Sequence, residues 1–273
     1  MRILLFLTVL FTSVTSQNSL NAGRKIEEPS VLPPSHISSL GNMMMAANWT
    51  NLVFGGNPAE AGAFPMHVFI NYKKRKGNYA ICGGTLISTT HVLTAAHCTV
   101  NMASPTKILA GSVSNNGRSA NAQWRTVHTI FTHPKYDDND PLVQNDIGII
   151  EDLEFINVIE GDRPVASDKL LFAEVTLFPM SNCSEVWRTK MDNNKLCAGA
   201  AGKGNGPGDS GGPIQVSYNK QLFQVGLVSV GTDNLEEAAN EQDRVPALYT
   251  RVSKFCDYIS QTTKGAASCA SIN

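Results

Sequence analysis

Ser210 lies in the stretch GKGNGPGDSGGPI (residues 202–214), where six glycines fall within eleven positions. A serine hydroxyl is a poor nucleophile at neutral pH, so attack on a carbonyl needs a base to take its proton. His97, in TAAHC (94–98), suits that role, because an imidazole of unperturbed pKa about 6.5 is neutral and accepts at pH 7–8. Asp146, in NDIGII (145–150), offers a carboxylate that would take a hydrogen bond from the other ring nitrogen and steady the imidazolium. Each residue alone also has an ordinary reading. Gly-rich polar runs are usually flexible connectors. A lone histidine is usually a core or surface residue, and an aspartate before an apolar strand a turn residue.

The elements that must position these groups read as β-structure. From Val53 onward, short apolar runs alternate with turn residues. MHVFINY (66–72), GTLIST (84–89), KILAGSV (107–113), WRTVHTIF (124–131), DIGIIED (146–152), QLFQVGLVSV (221–230) and ALYTRV (247–252) are all predicted strands. SKFCDYISQTTK (253–264) spaces Phe255, Tyr258 and Ile259 for a terminal helix. The fold class is therefore all-β with a C-terminal helix, and the 221 residues from Val53 suffice for one or two β-barrels.

Ahead of this unit the chain reads differently. Arg2, an apolar run from Ile3 to Phe11 and small residues ending at Ser16 have the layout of a secretory signal peptide over residues 1–16, too short to be a membrane anchor. Residues 17–52 are polar, proline-bearing and without periodicity, as in a removable pro-segment. Export to an oxidising compartment makes disulfides of the six cysteines, although spacing alone leaves fifteen connectivities open. The sequons at Asn48 and Asn182 are compatible with glycosylation. A net charge of −1 gives no drive toward nucleic acid or an anionic membrane. The run Lys73–Lys76 reads as a solvated loop, and Asp137, Asp138 and Asp140 as a solvated turn without a calcium-loop pattern.

Taken together, TAAHC, the buried-strand aspartate and GDSGGP, in the order His, Asp, Ser, closely resemble the trypsin/chymotrypsin family of serine proteases from residue 53 to about 264. The resemblance implies two six-stranded-type antiparallel β-barrels and His97, Asp146 and Ser210 as the catalytic triad. It implies backbone N–H donors at Gly208 and Ser210 for the oxyanion, and Ser229 as the serine that helps hold the aspartate. VFGGNPAEAGAFP (53–65) resembles the amino terminus created when the precursor is cut, here after Leu52. The freed ammonium of Val53 would then pair with Asp209. The substrate-side pocket maps to Gly204 at its base and Gly231 and Ala247 on its walls, which favours medium to large apolar side chains; a one-residue slip would place Lys203 at the base and favour acidic ones. The family's bridges match Cys82–Cys98 and Cys183–Cys197, which leaves Cys256 and Cys269 to each other. The bridge beside the pocket is absent at both of its positions.

One departure is large. The family has roughly ninety residues between the aspartate and the serine, whereas Asp146 and Ser210 are 64 apart. The strand that usually carries a Gly-Trp-Gly word is missing from the interval before LLFAEVTLFPMSNC. An incomplete second barrel with unpaired edges and a poorly buried Val53–Asp209 pair is expected.

The leading expectation is a secreted serine endopeptidase, made as a precursor, acting on protein or peptide substrates and meeting protease inhibitors as further partners. It requires no cofactor and no metal. The rival is a catalytically inactive protease-like binding protein or a truncated isoform. A metallohydrolase is disfavoured, because His91 and His97 form no H-E-x-x-H word.

Overall fold

The computed structural model describes residues 5–7, 53–117, 119, 121–151, 154–155 and 169–271. The expected pro-segment, Asn48, Leu52 and all of the expected signal peptide except Leu5–Leu7 lie outside the described residues. Leu5–Leu7 forms a short parallel pair with Cys269–Ser271.

Eight strands build the first sheet, in the order β9–β6–β5–β2–β3–β4–β8–β7. They are β2 (His67–Lys73), β3 (Tyr79–Leu86), β4 (Val92–Thr94), β5 (Thr106–Ala110), β6 (Gln123–Val127), β7 (Thr129–Thr132), β8 (Gly148–Glu151) and β9 (Glu154–Phe155). The single residue His128 separates β6 from β7, yet β6 pairs with β5 and β7 with β8, on opposite sides of the sheet. The predicted strand 124–131 is thus two strands meeting at a corner, and that corner curls the sheet into a barrel. In β2 the residues Val68, Ile70 and Tyr72 are buried while their neighbours are not, as a period-two strand requires. Those three join Val92, Ile108 and Ile150 in the first core.

The second sheet has five antiparallel strands in the order β10–β11–β15–β14–β13. Its members are β10 (Thr176–Phe178), β11 (Lys195–Gly199), β13 (Pro213–Tyr218), β14 (Gln221–Val230) and β15 (Ala247–Arg251). Strands β10 and β13 are open edges, so this sheet does not close among the described residues. A separate two-stranded pair joins β1 (Val53–Phe54) to β12 (Gly204–Asn205).

The helices are short: α1 (Ala96–Thr99), α2 (Met180–Val186), α3 (Leu235–Asn240) and α4 (Cys256–Thr262), the last preceded by a 3-10 turn over Val252–Phe255. Phe255 and Ile259 are buried against Leu93, Ile149 and Leu227, so the terminal helix packs where the two sheets meet. Disulfides Cys82–Cys98, Cys183–Cys197 and Cys256–Cys269 tie β3 to α1, α2 to β11, and α4 to the tail. Asn182 is exposed on α2.

Candidate active site

His97 is the second residue of α1, one step beyond the end of β4, and Cys98 anchors that turn to β3. Its backbone N–H donates to Asp146 Oδ1 at 2.9 Å and its ring Nδ1–H to Asp146 Oδ2 at 2.9 Å. An ionised carboxylate only accepts, so Nδ1 carries the proton and Nε2 is left with its lone pair. Nε2 is buried and has no hydrogen-bond partner among the described residues. Asp146 itself is wholly buried. The turn before it is shaped by Asp140, which accepts from the N–H groups of Leu142 and Gln144, and by positive φ at Val143 and Asn145.

Ser229 donates to Asp146 Oδ2 at 2.6 Å from a register shift in β14, between Val228 and Val230, where a bulge turns its side chain toward the carboxylate. Behind Ser229 lies a residue that sequence reasoning missed. Lys195, the first residue of β11, is 1 % exposed and donates through Nζ to Ser229 Oγ at 3.0 Å and to the Val143 carbonyl at 2.7 Å. Burial by itself would raise the Asp146 carboxyl. The His97 ring, Lys195 Nζ and the Ser229 hydroxyl outweigh it and hold Asp146 below its ordinary range. The only sequence signal for Lys195 was a lone cation at the head of the apolar run LCAGA.

The glycines around Ser210 serve close approach. The Gly83 N–H donates to the Ser210 carbonyl at 2.8 Å, and a Cβ on Gly83 would lie 2.8 Å from Gly212 Cα. Gly211 has φ +74, and a Cβ there would fall 2.1 Å from Thr94 Oγ1. Bare backbone at these positions lets the serine loop settle on β3 and β4, one turn from His97. The loop is not a connector. Gly208 has φ +104, and neither its N–H nor that of Ser210 is engaged among the described residues. Ser210 is buried, and no hydrogen bond joins its Oγ to His97 Nε2.

The family described as Trypsin matches residues 53–154 and 157–259. The chain belongs to the trypsin family. It is 32% identical over 260 residues to chymotrypsin-C of Mus musculus, covering 82% of this chain and 93% of that protein. It is 27% identical to tissue-type plasminogen activator of Mus musculus, over 72% of this chain and 42% of that protein, so it spans about two fifths of that relative. The CLIP domain-containing serine protease B4 of Anopheles gambiae is 25% identical, over 77% of this chain and 70% of its own length.

Near His97, Asp146 and Ser210 of this trypsin-family chain, two concavities differ greatly in size. The smaller, about 50 Å³, is lined by Ser210, Ser229, Gly231, Ala247, Asn205 and Gln242, with Asp233 a further wall residue. Gly204 is not part of that lining. It pairs with Phe54, and a Cβ on it would fall 1.9 Å from Gln242 Oε1. Asn205 and the Gln242 side chain therefore occupy the region that sequence counting gives to Gly204. Gln242 Nε2 donates to the carbonyls of Asn205 and Ala238. Lys203 lines neither concavity.

The larger is a cleft of about 740 Å³ along the open edge β13, and Val53, His67, Gly208 and Asp209 are among its lining residues. Asp209 accepts one hydrogen bond, from the Gly206 N–H at 2.8 Å. Burial pushes its carboxyl up to about 7 against the pull of that bond. His67 is pushed down to about 4 by burial and stays neutral. His91 lies apart from the triad, between Ser88, Thr90 and Glu151. The side chains of Cys82, His97 and Cys98 come within 4.8 Å of one another, but both sulfurs belong to a disulfide and are not thiolate ligands.

Proposed function

We propose that this trypsin-family chain is an exported serine endopeptidase using Ser210, His97 and Asp146. The observation that carries the reading is the Asp146–His97 pair. Two hydrogen bonds of 2.9 Å fix the ring and its tautomer and leave Nε2 as the base. Ser210 Oγ attacks the substrate carbonyl while Nε2 takes its proton. The N–H groups of Gly208 and Ser210 receive the oxyanion, and the imidazolium returns the proton to the leaving amine. Water then cleaves the acyl-enzyme by the same steps in reverse roles.

The small pocket supports a preference for small apolar side chains, since Gly231, Ala247, Val228 and Val245 line a space of about 50 Å³. We further propose removal of residues 1–16 as a signal, followed by cleavage between Leu52 and Val53. Val53 and Asp209 line the same cleft, which supports pairing of the freed ammonium with that carboxylate. Export is supported by the three disulfides.

The deciding experiment is a fluorophosphonate probe applied to protein beginning at Val53. Labelling that disappears in Ser210→Ala is expected. A folded but unlabelled protein refutes the endopeptidase and favours the inactive binding protein, for which the open second sheet is the specific observation. Preferential cleavage after Lys or Arg would refute the apolar pocket and point to Asp233.

A further inference from the structure

We propose that Lys195 is a positioning residue for the reaction: its buried ammonium sets the direction of the Ser229 hydroxyl and offsets the charge of Asp146 behind His97. The inference rests on the acyl-transfer reading of the triad.

The argument starts from donor and acceptor inventories. An ammonium has donors only, so at the 3.0 Å contact Ser229 Oγ must accept from Lys195. That leaves the single hydroxyl proton of Ser229 for Asp146 Oδ2 at 2.6 Å. A serine without such a neighbour could rotate and accept elsewhere. Here its polarity is set from behind. The second anchor, the Val143 carbonyl at 2.7 Å, belongs to the turn that presents Asp146, so one side chain braces both partners of the carboxylate.

Charge gives the second half. Among the groups facing Lys195, burial lowers its ammonium to about 8, while Asp146, Asp192 and Asp140 oppose that shift. Arg251 reaches only its backbone carbonyl, at 3.2 Å. Lys195 is therefore cationic at neutral pH. An Asp–His pair alone becomes neutral when the imidazolium forms, whereas with Lys195 behind it the buried cluster is neutral beforehand and carries a net positive charge afterwards. The cation thus opposes imidazolium formation. The contacts of 3.0, 2.6 and 2.9 Å place it within about 8.5 Å of the ring. At that distance inside a buried cluster the two cations repel, so removal of Lys195 should be felt at the ring.

The test compares wild type with Lys195→Met, which removes donor and charge, and Lys195→Gln, which keeps a donor without charge. The rate constant kcat/KM is measured from pH 5 to 9. In both variants the acid limb of the rate profile should move to higher pH, with a roughly tenfold loss of rate below pH 6. Lys195→Gln should retain more of the plateau rate than Lys195→Met. An active wild type whose variants give superimposable rate profiles overturns the proposal but leaves the triad reading standing. A wild type that neither cleaves nor labels fails the triad itself. If neither variant folds, the ¹⁵N resonance of Lys195 in the unmutated protein decides: an ammonium at pH 7 is expected, and a neutral amine overturns the inference.

Discussion

Asp209 should make the stability of the intact chain, the proposed precursor, depend on pH in a direction that the proposed cleavage before Val53 reverses. In the uncut chain its carboxyl has one hydrogen bond and titrates at about 7 rather than 3.8. An acid whose folded pKa is raised stabilises the fold below its unfolded pKa, and that contribution is lost as pH rises through the folded value. Between pH 4 and 8 the precursor should therefore lose stability. The bound follows from 1.36 kcal/mol per pH unit, about 4 kcal/mol for this shift, and water reaching the cleft reduces it. Asp209→Asn removes the ionisation while keeping an oxygen for the Gly206 N–H. The two precursors, both carrying Ser210→Ala to prevent self-cleavage, should be nearly equal at pH 4, with the Asn variant more stable by up to about 4 kcal/mol at pH 8. In protein beginning at Val53 the order should invert, because Asp209→Asn leaves the freed ammonium without its carboxylate. Denaturant unfolding followed by the fluorescence of Trp124 and Trp187 measures all four forms. Parallel pH curves for the two precursors would refute the burial argument, and an Asn variant undiminished after cleavage would refute the Val53 pairing.

Asp146→Asn takes the carboxylate from His97 and Ser229 together and favours the wrong imidazole tautomer; kcat/KM should fall by about 10⁴ at pH 7, and a loss under tenfold would remove Asp146 from the mechanism. Gly231→Phe tests the pocket wall, where a Cβ would meet only Asn205 Nδ2, at 3.8 Å. It should block peptide cleavage at least a hundredfold while a small fluorophosphonate still labels Ser210, and unchanged peptide turnover would mean that Gly231 does not border the substrate. Gly211→Ala places a methyl against Thr94 at a φ of +74, which should cost about 1–3 kcal/mol in denaturant unfolding and slow labelling. A neutral effect on both would contradict the packing of the serine loop on β4.

The sequence carried what is local. TAAHC, GDSGGP and the aspartate heading an apolar strand are words of a few residues whose chemistry is legible without a fold. Strand 221–230 could be read to the residue because QLFQVGLVSV is rich in Val, Leu and Phe and carries no proline or turn cluster. Strands β11 and β13 escaped, since LCAG and PIQVS are too short or too mixed for periodicity to speak. The split of 124–131 was hidden because a barrel corner is decided by pairing partners, not by the side chains at the bend. Tertiary structure alone decided the rest. Lys195 and Ser229 are 34 residues apart, and Gln242 and Asn205 are 37 apart. No spacing rule connects them. The cleft beside Asp209 is likewise a consequence of how an open sheet edge meets a barrel. Charge, burial and close approach act through space, so Ser210 and His97 could be picked out along the chain as candidate nucleophile and base, but the cation behind Asp146 appeared only once the chain was folded.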